Sequence, residues 1–425
     1  MRDLIRRIEA ETGPGRDRAV DALRAAAIAG VVLGHWLVTA LVADSGTVRV
    51  GSPLRQMPQL APASWLLQTM AVFFLVGGQM AADSHVRARG RGLTYRRWLT
   101  TRMARLFRPV TVVLVIWSVV AGVMLAAGAD LDTVRVLVKL VLSPMWFLLV
   151  FAALTAATPQ VARLHPVWPL AAVALIDVIR YGLGGPGWLG WANVAGGWLV
   201  PYCLGAAWAR GDLRGRTTGW ALLLGGGAAT AALVLWAGYP AAMVGVPGAR
   251  ISNQSPPTLA AVTFGLAQCG AALLLLDPLR RVLRRPAVWA VVALVNLAAM
   301  TIFLWHQTAL IVVTALGLLA GGPLPGLGTV PDDPGWVLAR LAWLPVFALA
   351  LLACCAAFHA HERGRPGDRG SPHGHPAGSG TRSRARRASK RKQPNSTART
   401  WTRATSGSAK SVSSSDPAAE ASADR

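Results

Sequence analysis

Ten stretches of mostly apolar residues recur along the chain, at 22–43, 64–82, 109–128, 143–158, 166–180, 191–209, 218–238, 257–277, 297–319 and 336–358. A helix needs about 20 such residues to cross a bilayer, and it must satisfy its backbone N–H and C=O groups internally while doing so. The fourth and fifth stretches are short, and 286–296 is apolar enough to lengthen the ninth or to lie along the interface. These runs are long and do not alternate with a period of two, which excludes a transmembrane β-barrel. The first run is too long for the core of a secretory signal and further runs follow it, so it reads as a span. The expected fold class is all-α, a polytopic transmembrane helical bundle of about ten spans.

Charge sets the orientation. The chain is 53% hydrophobic, yet its formal net charge is +24 with only 15% of residues charged. A soluble globule would be short of polar surface, and a nucleic-acid binder would not need the apolar runs. One set of connections, 84–108, 159–165, 210–217 and 278–285, is strongly basic. It holds Arg87, Arg89, Arg91, Arg96, Arg97, Arg102, Arg105 and Arg108, then Arg163, then Arg210, Arg214 and Arg216, then Arg280, Arg281, Arg284 and Arg285. The opposite set holds only Arg49, Arg55, Arg135, Lys139 and Arg250. Lys and Arg collect on the cytoplasmic side, so the sequence predicts a multi-pass protein of the cell membrane with both termini in the cytoplasm.

Three regions follow. Residues 1–18 are expected to be a cytoplasmic N-terminal segment, 19–360 the transmembrane domain, and 361–425 a disordered basic tail. The tail carries 14 basic and 5 acidic residues among Ser, Gly, Pro and Ala, a composition that cannot bury enough apolar surface to fold. Its run Arg384–Lys392 suits contact with anionic membrane lipids better than binding to nucleic acid. Cys203, Cys269, Cys354 and Cys355 all lie in apolar stretches, so no disulfide framework is implied. Phosphate-binding loops, dinucleotide fingerprints and zinc motifs are absent, and the spans hold no paired carboxylates, so no metal site is expected.

Ionisable residues inside spans are costly and rank as site candidates by default. Arg24 and His35 are eleven residues apart in the first span, which places them on one helix face about 16 Å apart along the axis. A neutral imidazole there can accept a proton or simply hydrogen-bond a neighbouring helix, and the spacing alone leaves both open. Trp305-His306-Gln307 in the ninth span offers a second histidine, catalytic or packing. Arg102 and Arg105 share a helix face before the third span, and paired guanidinium groups suit a phosphate or pyrophosphate, although topology alone also explains arginines there. Asp177 and Arg180 read as an interfacial ion pair, and Arg340 as a side chain snorkelling at the outer edge of the tenth span.

Several elements, in order, resemble the acyltransferase family 3 membrane proteins. Arg18-Ala-Val-Asp21-Ala-Leu-Arg24 followed by His35 is similar to the family's opening Leu-Asp-Gly-Leu-Arg and Arg-x10-His. Phe73-Phe74-Leu75-Val76-Gly77-Gly78 resembles its Phe-Phe-Val-x-Ser-Gly, with Gly77 where Ser is more usual. Arg102-x-x-Arg105 with Arg108-Pro109, Met145-Trp146-Phe147-Leu148, and Phe303-Leu304-Trp305-His306 match further elements, the last with Phe303 in place of Tyr. The resemblance implies an O-acyltransferase that moves an acyl group, acetyl in the first instance, from acyl-CoA to a hydroxyl of a glycan, a lipid-linked sugar or another envelope or secondary-metabolite acceptor. Acyl-CoA would be a co-substrate and no cofactor would be bound permanently. His35 would be the general base or part of an acyl relay; Arg24, Arg102 and Arg105 would hold the CoA phosphates; Trp146, Trp305 and His306 would shape the site. The competing expectation is a transporter or flippase with His35 and His306 lining the substrate path.

Overall fold

The computed structural model describes residues 2–13, 15–44, 47–213, 215–249, 251–322 and 324–358. The tail 361–425, Arg214 and Arg250 lie outside the described residues.

The chain opens with α1 (Arg2–Ala10) and α2 (Arg18–Val38), then a hairpin of β1 (Ala40–Asp44) and β2 (Thr47–Gly51). A one-turn helix α3 (Pro53–Gln56) and a 3-10 segment (Pro58–Leu66) lead into α4 (Met70–Gly90) and α5 (Tyr95–Ala126). Next come α6 (Leu131–Leu142), α7 (Met145–Ala156), the single turn α8 (Thr158–Val161), α9 (Val167–Asp177), α10 (Ala192–Arg210) and α11 (Arg216–Trp236). The described chain closes with α12 (Leu259–Val282), α13 (Pro286–Leu297), α14 (Ala299–Gly321) and α15 (Pro334–Phe358). Eight segments are long and apolar enough to cross a membrane: α2, 58–90, α5, 131–156, α11, α12, α14 and α15. Every apolar stretch expected from the sequence contains a helix, but α9 and α10, at 166–180 and 191–209, are not among those eight. Segment 286–296 forms its own helix, α13, which packs on α1 and α2. The all-α, polytopic expectation holds.

Helix boundaries follow local chemistry. Asp17 caps α2 by accepting from the Ala19 N–H at 3.0 Å, and Thr94, Asp130 and Thr258 cap α5, α6 and α12 in the same way. Each satisfies a backbone donor that the first turn leaves unpaired. Gly211 ends α10 in the left-handed region at φ 86°, which glycine adopts without steric cost. The first span is shorter than 22–43 suggests. Thr39 turns extended, and Ala40–Asp44 pairs with Thr47–Gly51 as a hairpin instead of extending the helix.

Small residues let the helices approach closely. Where α4 meets α10, a Cβ on Gly205 would collide with the Leu75 carbonyl and the Gln79 amide, and one on Gly78 with the Tyr202 carbonyl. Phe74, Leu75, Tyr202 and Cys203 are fully buried around that crossing, and the core continues through Trp36, Phe147, Phe303 and Leu310. Backbone atoms cannot yield as a flexible side chain can. Gly205→Leu should therefore cost about 1–3 kcal/mol, while Gly225→Ala, on an open helix face, should be neutral or stabilise by up to about 1 kcal/mol. Thermal unfolding of the two variants in detergent checks the contrast.

Candidate active site

The site is built on the last turn of α2. A helix C-terminus presents carbonyls without intrahelical partners, and here a guanidinium meets them. Arg340 of α15 is fully buried. Its Nε donates to the Trp36 carbonyl at 2.6 Å, its Nη2 to the Thr39 carbonyl, and its Nη1 to the Gly326 carbonyl at 2.7 Å. The aromatic faces of Phe347 and Trp336 lie 4.8 and 5.2 Å away. The expectation that Arg340 snorkels is thus corrected. The negative end of the α2 dipole and three carbonyls hold the cation inside the bundle.

One residue before Trp36, His35 is half-buried and faces α14. Its ring lies 5.0 Å, centroid to centroid, from that of His306. Its Nδ1 is 3.0 Å from Nε2 of Gln307. Trp36 Nε1 donates to the His306 carbonyl at 2.9 Å, tying α2 to α14. His306 and Gln307 are fully buried. His306 Nδ1 sits 2.6 Å from the Phe303 carbonyl. A carbonyl only accepts, so Nδ1 carries the proton and Nε2 keeps its lone pair. That Nε2 and the Gln307 Oε1 make no hydrogen bond to protein. Turning the Gln307 amide, a choice of assignment by network, would set Oε1 to accept from an Nδ1–H of His35 and leave His35 Nε2 free to take a proton.

Two hollows lie along α2 and share two lining residues. A cavity of about 380 Å³ is lined by Val31, Gly34, His35 and Val38 of α2, by Trp146 and Phe147 of α7, and by Phe303 of α14. A cleft of about 20 Å³ is lined by Arg24 and Ile28 of α2, by Phe73, Leu106 and Phe151, and again by Phe147 and Phe303. Along α2 the cleft comes first and the cavity follows, with the Phe147 and Phe303 rings, 5.5 Å apart, common to both.

The predicted residues sort by position. His35 and Trp146 line the cavity and Arg24 lines the cleft. Arg102 is half-buried and donates to the Met80 carbonyl at 3.2 Å and to Ser84 Oγ, with its guanidinium 5.2 Å from the Trp98 ring. Arg24, Arg87 and Arg105 add to the positive field there, and Arg105 is exposed. His306 stands behind His35. Trp305 is not brought to the cavity; it is buried and stacked on Phe358 at 4.1 Å. Asp177 and Arg180 do not pair either. Asp177 accepts from Asn193 and Tyr239 at 3.0 Å and from the Leu259 N–H at 2.6 Å, at the N-terminus of α12, where the helix dipole favours a carboxylate. Arg180 lies over Tyr181. No group of three or more His, Cys, Asp or Glu among the described residues could hold a metal ion.

Sequence reasoning assigned no role to Gln307, the immediate neighbour of a singled-out histidine, and misread Arg340. The signal for Arg340 was its depth, six residues into a span, where a cation needs partners. Arg340→Leu should orphan three carbonyls and lower stability by about 3 kcal/mol, and Arg340→Lys should recover only part, since an ammonium lacks the planar fork. Denaturation in detergent, followed by tryptophan fluorescence, reads both.

Comparison with known proteins identifies the family of the chain. A family model described as an acyltransferase domain matches residues 17–359, from the cap of α2 to just past α15. No curated protein and no solved structure matches the chain. The transport reading gains no support. With the matched region covering most of the chain and every element of the site, the protein belongs to acyltransferase family 3 and is a membrane acyltransferase.

Proposed function

We propose that the protein transfers a short acyl group, acetyl in the simplest case, from acyl-CoA to a hydroxyl of a glycan or another envelope or secondary-metabolite acceptor. The observation that carries this reading is the succession along one helix of a cleft with Arg24 in its wall, paired phenylalanines and the His35 cavity. CoA carries its phosphates at one end and its thioester at the other. Arg24, Arg102 and Arg105 hold the phosphates by charge-assisted hydrogen bonds. The pantetheine arm runs along α2 past Phe147 and Phe303, and the thioester reaches His35. The basic connections face the cytoplasm of a cell membrane, where acyl-CoA is made, and the termini lie on that side.

The chemistry is an acyl substitution. His35 Nε2 takes the proton of the acceptor hydroxyl as its oxygen attacks the thioester carbonyl. The tetrahedral centre collapses with loss of the C–S bond. The thiolate recovers the proton from the imidazolium, giving an ester and free CoA. Gln307 is a positioning residue here: its Oε1 accepts from Nδ1–H, which fixes the tautomer and stabilises the imidazolium that forms. His306 supports His35 from behind, and Trp146 shapes the acceptor side.

Purified protein, labelled acetyl-CoA and a panel of acceptors test the reading. His35→Ala should lower transfer and acceptor-independent hydrolysis of acetyl-CoA by about 10²–10⁴-fold while the protein still folds. A folded variant with full turnover would remove His35 from the mechanism. Arg102→Ala should raise KM for acetyl-CoA more than it lowers kcat. In Gln307→Glu, a carboxylate beside the ring favours the imidazolium. The acid limb of the kcat/KM profile, which needs neutral His35, should then move to higher pH. For topology, a Gly92→Cys variant should resist an impermeant thiol reagent applied to intact cells.

A further inference from the structure

The His35 cavity is polar without being charged. Among its described lining residues there is no Asp, Glu, Lys or Arg, and His35 is the one titratable group. Its polar side chains are the amides of Gln68 and Gln254 and the hydroxyls of Thr39, Ser52, Thr69, Ser143 and Ser255. Some of these are already committed. Thr69 Oγ1 donates to the Ala27 carbonyl at 2.7 Å, and Ser143 Oγ to the Leu140 carbonyl at 3.0 Å.

The two amides differ. Gln68 is 4% exposed, and its Oε1 makes no hydrogen bond to protein. Leaving a buried acceptor unmet costs about 1–3 kcal/mol, so a ligand whose donor draws Oε1 from beneath the cavity wall is rewarded. Gln254 Nε2 has the Met70 sulfur at 2.9 Å, and a thioether is a weak acceptor. The cavity thus offers one strong acceptor and one under-used donor. A hydroxyl both donates and accepts, so a ring that carries several can serve either amide. Trp146, Phe147 and Phe303 provide apolar faces against which the C–H face of such a ring can pack.

An anion fits poorly. Arg340, behind Thr39, has each of its three nitrogens committed to a carbonyl and does not line the cavity. A carboxylate moved into this space would lose its hydration without gaining a cation. The volume of about 380 Å³ sits near the lower end for ligand pockets, which suits a terminal ring more than an extended polymer.

We propose that the acceptor held beside His35 is an uncharged, polyhydroxylated ring, a neutral sugar, read by Gln68 and Gln254, and that the cavity discriminates against anionic sugars. This rests on the acyltransferase reading and names the acceptor class within it.

The test uses the full-length protein in detergent or nanodiscs with labelled acetyl-CoA. Methyl glycosides of several neutral hexoses are compared with the matching uronic acids, which differ by a carboxylate at C6. Ester formation and suppression of the His35-dependent hydrolysis of acetyl-CoA are both read. At least one neutral glycoside should be acylated or should suppress hydrolysis, and its uronate should be worse by at least about tenfold. Gln254→Arg, which places a cation in the cavity, should narrow that ratio, and Gln68→Leu should weaken the neutral glycoside. Uronates that match or exceed the neutral sugars would overturn the proposal. So would persistent His35-dependent hydrolysis that no neutral glycoside touches, and in that case the acyltransferase reading would stand. If acetyl-CoA is not turned over at all, that reading fails instead. Saturation-transfer NMR then decides the cavity's preference directly, with selective binding of the neutral glycosides supporting the proposal and its absence overturning it.

Discussion

The end of α2 depends on a single buried cation. Without the Arg340 guanidinium, the carbonyls of Trp36 and Thr39 would face an apolar interior with no donor in reach. With it, the helix stops at Val38 and the chain can turn into the hairpin. His35 sits in that final turn, so its position is set from below by α2, from behind by the Trp36 bond to α14, and at the end by α15. The first span and the last two thus hold one imidazole. This is how a fold without a rigid sheet can still fix a reactive group within the tolerance that proton transfer needs.

The same helix orders the site from end to end. Arg24 lies at the cleft and His35 at the cavity, about 16 Å apart by helical rise. Phe147 and Phe303 stand between them, each part of a larger aromatic cluster that includes Phe73, Phe74 and Phe151. Close crossing of α4 and α10 through Gly78 and Gly205 backs that cluster. The charges thereby fall into two classes. Arg340 is internal and structural, whereas Arg24, Arg102 and Arg105 are the cations proposed to meet an anionic ligand.

Much of this was legible in the sequence. Hydropathy put a helix in each of its ten stretches, because backbone satisfaction in lipid permits little else, but it missed α6, where Arg135 and Lys139 interrupt the apolar run. Helical spacing put Arg24 and His35 on one face, since that relation is internal to a single helix. Relations between helices were not legible. Asp177 looked like half of an i,i+3 ion pair, but the structure turns it towards Asn193, Tyr239 and the start of α12. Trp305 shares a motif with His306, yet its side chain leaves on the other side of α14 and stacks on Phe358. The hairpin after α2 was hidden because its first strand, Ala40–Asp44, continues an apolar run and looks, by hydropathy alone, like more span.

By itself, then, the sequence determined the all-α, multi-span character of the chain, the basic asymmetry of its connections and the family, all carried by local composition or by short runs of residues. Tertiary structure alone decided that His35, His306 and Gln307 converge, that Arg340 is buried, and that the cavity beside His35 has no Asp, Glu, Lys or Arg among its described lining residues. The physical reason is range. Hydrophobic partition and helical periodicity act over a few turns of one segment. Pairing a guanidinium with carbonyls some three hundred residues away depends on how whole helices pack, and no local pattern records it.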